Sequence, residues 1–328
     1  MFMSFKTTNG LMKHLQNRGI FISGSTQKRL LINTGYYHGY KGYRFFNTAA
    51  TRLPFCKYDE VYATIQYDSA LKSLMYGKMM FIETAVKNIA LEAILVKANS
   101  ENIQDMYDKV ISSYRNAPPN TPAEQRKKFQ QRKLNLQNTV QSRLASAYRD
   151  GNAKITHFYN NVGYSDVPIW ALFEILTMGN FGNLLSCLTF DVRDDISKRL
   201  GLNTAADTSR ELVYKYIYTL KDLRNAIAHN AVVFDTRFRN IDPTPAMRRC
   251  LETQFNLPYV NFKTIGDYVI LMCYYLQLLK VSKKEIKAFI RNFEKITESY
   301  RKAVSSSVAA IVIHPDLPSR MTSVKNSI

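Results

Sequence analysis

The chain has 328 residues, of which 46% are hydrophobic and only 13 are glycine and 10 proline. This composition predicts an ordered and mainly helical protein, and the length suits one large domain or two small ones. The longest apolar run, residues 268–279, is too short for a membrane span and predicts a buried helix. We expect no membrane association, and no secretory signal is evident. The four cysteines are scattered without a Cys-x-x-Cys pair, which argues against a zinc site or a disulfide framework and favours a cytoplasmic location.

The formal net charge of +19 is concentrated in three segments. Residues 1–58 hold nine lysines and arginines and no acidic residue, residues 114–154 hold nine against two acidic residues, and residues 280–302 hold eight against three. Clustered cations release counterions from a phosphate backbone, so a polyanion such as RNA is the expected partner. The alternative is that solvated lysines on helix surfaces serve solubility.

The first predicted region, residues 1–58, is a basic segment with two short helices near residues 11–15 and 27–32 and an aromatic run over residues 36–46. Lys41 and Arg44 alternate with tyrosines in this run. Such a pattern could bind RNA, with cations on phosphates and rings on bases. It could equally be a packed turn whose rings cover the core, because three glycines interrupt the helix there.

Residues 59–113 are predicted to form long core helices. Apolar side chains recur at alternating steps of four and three, which is typical of a helix-bundle core: Met75, Met79, Ile82, Val86, Ile89 and Ala93. Glu83 lies beside this stripe and would need a cationic partner if it is buried.

Residues 114–154 are predicted to form a basic linker and arm. A proline-rich stretch precedes a polar, glutamine-rich helix over residues 122–149. The candidate RNA-binding cations on this helix are Arg126, Lys127, Lys128, Arg132 and Lys133. The alternative is a solvated surface helix with no ligand.

Residues 155–304 are predicted to form the main helical core, and residues 305–328 an extended tail. Trp170, the only tryptophan, is predicted to lie in the core. Further helices are predicted at about residues 181–188, 191–200, 208–230, 264–280 and 282–303.

The helix predicted at residues 208–230 ends in the segment Leu-Arg-Asn-Ala-Ile-Ala-His, residues 223–229. Arg224 and His229 flank its apolar face. Five residues advance about 140° beyond a full helical turn, so the two side chains meet only if the last turn distorts or a second copy packs alongside. Because the Arg-x4-His spacing occurs once in the chain, we expect a two-fold homodimer.

These residue types suit RNA cleavage without a metal or a cofactor. A neutral His229 imidazole can take the proton of a ribose 2′-hydroxyl, and a protonated one can assist the leaving 5′-oxygen. Arg224 can stabilise the charge that develops on phosphorus, and Asn225 can orient the phosphate or the histidine. The alternative is a purely structural role, since cations are favoured at a helix C-terminus and Asn230 suits a helix stop.

Four motifs together resemble the Abi family of bacterial abortive-infection proteins of the AbiD and AbiF types. The matching residues follow in chain order: Tyr36, Tyr37, Gly42 and Tyr43; Tyr67, Asp68, Leu71, Ile82 and Glu83; residues 168–174; and Leu223, Arg224, Asn225 and His229. Asn230 and Phe234 stand where members often carry a second histidine and a tryptophan. Ala70 and Lys72 occupy a region where arginine is common in the family. The Arg-x4-His motif is also that of the HEPN ribonucleases. The resemblance implies an all-α HEPN-type bundle, a homodimer, and an endoribonuclease that acts against phage, with a small structured RNA as a possible antitoxin.

Two other functions are compatible with the residues. The protein could be a non-catalytic RNA-binding module, since most of the excess charge lies outside the motif. A DNA-binding repressor is the weakest alternative, because no convincing helix-turn-helix pattern is present.

Overall fold

The computed structural model describes residues 6–161, 163, 166–240 and 242–328. In these residues the regular structure is helical apart from one two-stranded hairpin, so the all-α prediction is confirmed. The chain divides into two compact units. The first comprises Met1–Met79, Asp222–Thr244 and Leu251–Ile328, and the second comprises Met80–Lys221 and Pro245–Cys250.

The elements follow in chain order: α1 (Thr8–Gln16), α2 (Gly24–Thr34), a π-helix (Gly35–Lys41), β1 (Phe45–Phe46), β2 (Thr48–Arg52), α3 (Tyr58–Ala98), α4 (Ile103–Lys109), α5 (Ala123–Arg149), α6 (Ala153–Asn160), α7 (Ile169–Ile175), α8 (Met178–Cys187), α9 (Phe190–Leu200), α10 (Leu212–Ala228), α11 (Pro245–Phe255), α12 (Ile265–Leu278), α13 (Lys283–Ala303), α14 (Ser306–Val312) and α15 (Leu317–Ser327). Strands β1 and β2 are antiparallel, with Phe45 opposite Arg52.

Helix α3 carries the apolar stripe that the sequence predicts. Met75, Met79, Ile82, Val86 and Ala93 are buried, while Ile89 is half-buried. The buried Glu83 has the predicted cationic partner, because Nζ of Lys87 lies 3.0 Å from its Oε1. Lys87 also donates to the carbonyl oxygen of Leu176 at 2.7 Å, so its charge is held by two acceptors.

Helix α12 forms the centre of the first unit. Every residue from Ile265 to Leu276 is buried, which confirms the buried helix predicted from the apolar run. Helix α13 instead buries one face, including Phe289 and Phe293, as expected of an amphipathic helix. Within the described ranges, no helix combines the length and the apolar character that crossing a bilayer requires.

The C-terminal segment differs from the extended tail that the sequence predicts. Residues 306–327 form α14 and α15, and Val308, Val312, Met321 and Val324 are buried. Pro318 lies in the first turn of α15, where its missing N–H costs no helical hydrogen bond. The proline therefore starts a helix here, within a segment that we expected to be extended.

Trp170 does not lie in the core, and that prediction was wrong. Its side chain is 42% exposed, and Nε1 donates to Oε2 of Glu101 at 3.1 Å. Its ring packs edge-on against Phe158 at 5.3 Å between centroids. The buried side of α7 is formed by its neighbours Ile169 and Leu172, and the indole N–H reaches its acceptor near solvent, as tryptophan often does.

Candidate functional site

Helix α10 ends at the segment that carries the Arg-x4-His motif. Arg224 and Asn225 lie in the last turns, and His229 follows the final helical residue, Ala228. The backbone N–H of His229 still donates to the carbonyl oxygen of Asn225 at 2.9 Å. His229 therefore occupies the capping position of the helix, where its backbone remains tied to the preceding turn.

Asn230 turns the chain away from α10. Its φ is +52°, in the left-handed region. Its N–H donates to the carbonyl of Ile227 at 3.2 Å, and the N–H of Ala231 donates to that of Ala226 at 2.8 Å. These two bonds form a Schellman motif, which ends many helices. The helix stop predicted at Asn230 is confirmed, and it fixes the backbone on both sides of His229.

At the C-terminal end of α10, some side chains lie on a buried face and others on an exposed face. Leu220 and Leu223 are fully buried, whereas Arg224 is half-buried and Asn225 and His229 are exposed. A long hydrogen bond of 3.4 Å joins Nη1 of Arg224 to Oδ1 of Asn225. The His229 ring makes no hydrogen bond to any residue that the structure describes. Its nitrogens are thus available to a ligand in solvent.

The loop after the motif is anchored on the buried carboxylate of Asp68 in α3. Oδ1 of Asp68 accepts from the backbone N–H groups of Val233 at 2.7 Å and Phe234 at 2.8 Å. Oδ2 accepts from the Tyr43 hydroxyl at 2.8 Å and lies 2.7 Å from Nζ of Lys72. Burial, with the adjacent carboxylate, raises the pKa of Tyr43, so its hydroxyl keeps the proton that it donates. Four donors therefore satisfy this buried charge.

Lys72 and Asn230 extend this network to His38. Nζ of Lys72 donates to Oδ1 of Asn230 at 2.9 Å, and Nδ2 of Asn230 lies 3.3 Å from Nε2 of His38. An ammonium group only donates, so it fixes the orientation of the Asn230 amide with its nitrogen towards His38. The amide nitrogen therefore faces Nε2 of the exposed His38 ring. A second histidine is thereby held beside the residue that follows His229.

No motif in the sequence specifies His38. Asp68 matches a family-like motif and Lys72 departs from one, but spacing along the chain does not show that these three side chains meet the loop after His229.

The aromatic run is mainly structural. Gly35, with a φ of +72°, ends α2, and Tyr36, Tyr40 and Tyr43 are buried. Tyr43 stacks on Phe234 with ring centroids 5.9 Å apart and planes 11° apart. Three of the six tyrosine and phenylalanine rings in the run are thus core residues, in line with the packed-turn alternative.

The two candidate RNA-binding cations of this run lie on exposed or partly exposed rings. Nζ of Lys41 is 4.3 Å from the centroid of Tyr37, whose side chain is 74% exposed. The guanidinium of Arg44 is 4.5 Å from the centroid of Phe45. Tyr37 and Lys41 therefore offer a ring and a charge at the surface, and the cation–π contact orders them.

The five candidate cations of α5 lie in the second unit and differ in their surroundings. Arg126 donates to the carbonyl oxygens of Pro118, Pro119 and Thr121 at 2.8 to 3.0 Å, so it stabilises the preceding loop. Lys133 and Lys128 form ion pairs, with Asp108 at 3.1 Å and with Glu124 at 3.9 Å. Arg132 is exposed. Lys127 is exposed and makes no ion pair with a described residue. Only part of the predicted basic surface carries uncompensated charge.

No group of three or more histidine, cysteine, aspartate or glutamate side chains in the described part of the chain is arranged to hold a metal ion. The four cysteines are free thiols, and only Cys56 is exposed.

The chain matches a known protein family over most of its length. The sequence profile of the family described as Abi-like protein matches residues 29–235, which is well over half of the chain. This range includes the aromatic run, Asp68, the motif at the end of α10 and the loop that Asp68 anchors. Neither a search of curated proteins nor a search of solved structures gave a match.

Proposed function

Since the chain belongs to the Abi-like protein family, we propose that it acts in abortive-infection defence as a metal-independent endoribonuclease of the HEPN type. One observation carries this proposal. The backbone of His229 is fixed at the end of α10, and its exposed imidazole, which makes no hydrogen bond to a described residue, follows the half-buried Arg224 by five positions. A proton-transfer group and a permanent cation at one phosphodiester are what its cleavage requires.

In this mechanism His229 takes the proton of a ribose 2′-hydroxyl. The 2′-oxygen then attacks the adjacent phosphorus, and the bond from phosphorus to the 5′-oxygen breaks. Arg224 stabilises the negative charge on the pentacoordinate phosphorus, and Asn225 orients the phosphate. The leaving 5′-oxygen takes up a proton from a protonated imidazole. The products are a 2′,3′-cyclic phosphate and a 5′-hydroxyl.

We propose that a homodimer completes this site. One chain presents a single Arg224 and a single His229, five residues apart, and their side chains diverge by about 140° on a regular helix. A two-fold axis near the end of α10 would place the partner's His229 in the same cleft, where it can act as the acid.

A small structured RNA is the proposed antitoxin. The charge of +19 supports an RNA partner of this kind, because the first 58 residues alone hold nine cations and no acidic residue. The same charge supports the second candidate function, an RNA-binding module that does not cleave.

The experiment compares growth and total-RNA integrity in cells that express the wild type, His229→Ala or Arg224→Ala at equal abundance. The purified proteins are then incubated with the cleaved RNA in EDTA, and product ends are identified by mass spectrometry. We expect His229→Ala to lose cleavage by about 100- to 10,000-fold, the contribution of positioned acid–base catalysis. Arg224→Ala should lose about 100- to 1,000-fold, as expected for removal of one group that stabilises the charge of the transition state.

The matched control is His157→Ala, which removes another exposed histidine near the end of a helix, here in the last turn of α6. This variant should cleave like the wild type. Equal cleavage by His229→Ala, or EDTA-sensitive cleavage, would refute the proposed mechanism. Absence of cleavage by the wild type, with RNA binding retained, would favour the binding module.

A further inference from the structure

A cleft of about 850 Å³ opens in the second unit between helix α5 and the segment of residues 113–116. It lies in the region that the sequence identifies only as a basic linker and arm. Its volume falls within the range of about 300–1,000 Å³ typical of sites for small organic groups.

Internal hydrogen bonds hold the wall opposite α5 in place. The N–H of Ser113 donates to Oδ1 of Asn116 at 2.6 Å, and Nδ2 of Asn116 donates to the carbonyl of Ile111 at 2.8 Å. The N–H of Tyr114 donates to Oε1 of Gln130 on α5 at 3.3 Å. The cleft is therefore preformed, which lowers the entropy cost of binding a ligand.

The cleft exposes two large apolar side chains. Tyr114 on the segment is 43% exposed, and Leu134 on α5 is 51% exposed. The Tyr114 ring packs on no other ring of the described chain. An aromatic face and an aliphatic side chain that line one cleft can hold a planar aromatic group between them.

The same cleft carries net positive charge. Arg115 and Lys127 line it, and neither makes an ion pair with a described residue. Lys133 also lines it, but Asp108 compensates its charge at 3.1 Å. Gln131 adds an exposed amide, which can both donate to and accept from the edge of a base.

From this combination we infer that the cleft binds an unpaired nucleotide of single-stranded RNA. The base stacks on Tyr114 and contacts Leu134, the amide of Gln131 faces its edge, and Arg115 and Lys127 bind the adjoining phosphates. Bases in a duplex are paired and stacked, so they cannot enter such a cleft, whereas bases in loops and single strands can. The inference rests on the proposed function, because it specifies which form of RNA the protein holds.

The test measures the affinity of a 5′-labelled, mixed-sequence single-stranded RNA by fluorescence anisotropy in the His229→Ala background. In that background the proposed activity is disabled, so the affinity does not depend on cleavage. Tyr114→Ala should weaken binding by about 5- to 100-fold, as expected for the loss of one aromatic–base stack. Tyr114→Phe keeps the ring and should bind within about twofold of the parent.

The cations are tested by salt dependence. Arg115→Ala and Lys127→Ala should each reduce the slope of log affinity against log salt by about 0.7, the value for one phosphate contact on a single strand. Arg143→Ala is the matched control, because Arg143 is an exposed cation of α5 outside the cleft. It should leave the slope of log affinity against log salt unchanged.

Two results would overturn the inference. The first is that Tyr114→Ala and the double variant Arg115→Ala, Lys127→Ala bind RNA no more weakly than Arg143→Ala does. The second is equal affinity for a duplex of the same sequence with the same dependence on Tyr114. Circular dichroism confirms that each variant is folded. Cleavage by the wild-type protein is measured separately, so a failed cleavage proposal and a failed binding site give different outcomes.

Discussion

Lys72 donates a hydrogen bond from Nζ to Oδ1 of Asn230 at 2.9 Å. The two residues lie 158 positions apart, and Asn230 directly follows His229. The same ammonium is 2.7 Å from the buried carboxylate of Asp68. The ion pair of Asp68 and Lys72 in α3 thus contacts Asn230, the residue at which the chain turns away from α10.

The left-handed conformation of Asn230 predicts how its substitution affects stability. Asn230→Ala should lower the free energy of unfolding by about 2 kcal/mol, from about 1 kcal/mol of backbone strain and a similar loss of side-chain hydrogen bonds. Asn230→Gly tolerates the positive φ and should cost only about 1 kcal/mol. Urea denaturation measures both. Equal losses would mean that the backbone conformation contributes little.

Asp68→Asn should destabilise the protein by about 3–5 kcal/mol, because it leaves the Lys72 ammonium beside an uncharged amide in a mostly buried position. Lys72→Met should cost less, since Asp68 keeps two backbone donors and the Tyr43 hydroxyl. Chemical denaturation of both single variants and the double variant gives the coupling between them. A larger loss for Lys72→Met than for Asp68→Asn would contradict this account.

The buried pair between Arg320 of α15 and Asp267 of α12 should hold the C-terminal helix. Both side chains are at most 1% exposed, so Arg320→Met leaves the buried carboxylate without its cationic partner and should cost about 3–5 kcal/mol. Lys325→Ala is the control. It breaks the more exposed pair with Glu294 and should cost less than about 1 kcal/mol. Thermal and urea unfolding distinguish the two, and similar losses would argue against a special role for the buried pair.

Glu60 should make stability depend on acid pH. Burial alone would raise its pKa, but hydrogen bonds outweigh burial and lower the pKa. They come from the side chain of Ser305 and from the N–H groups of Cys56 at 2.8 Å, Ser305 at 2.9 Å and Lys57 at 3.2 Å. A lowered folded-state pKa stabilises the protein above the ordinary glutamate value of about 4.3, and this contribution is lost as pH falls through the folded-state value.

The measurement is the melting temperature from about pH 7 to about pH 3 for the wild type and Glu60→Gln. The variant should be less stable near neutrality, and the difference should shrink as the pH falls. A difference that stays constant with pH would show that the carboxylate charge is not the cause.

Local features of the site were predictable from the sequence. Arg224, Asn225 and His229 lie on one short segment, and the stop at Asn230 depends on bonds to carbonyls three and five residues earlier. The contact between Asn230 and His38 joins residues 192 positions apart. Neither periodicity nor spacing carries information about a pair so distant, because its geometry is set by how several helices pack.

Burial was likewise predictable where it depends on a local pattern and not where it depends on distant contacts. The continuous apolar run predicted the buried α12, and the stripe of α3 predicted its core positions, because periodicity records which face is apolar. Trp170 and the C-terminal helices were not predicted. Composition alone did not show that the indole would find Glu101 near solvent, or that Pro318 would begin a helix anchored by a buried arginine.

We could therefore infer four features from the residues alone: the helical class, the positions of the main helices, the basic character and the motif at the end of α10. Each of these depends on residues within a few turns of one another, whose backbone bonds and apolar faces repeat with the helix. Chain packing was needed to show that Asp68, Lys72 and His38 meet the loop after His229, and that Tyr114 and Lys127 line one cleft. Such contacts arise when distant segments bury polar groups together, since each buried group must find its partner in the packed chain.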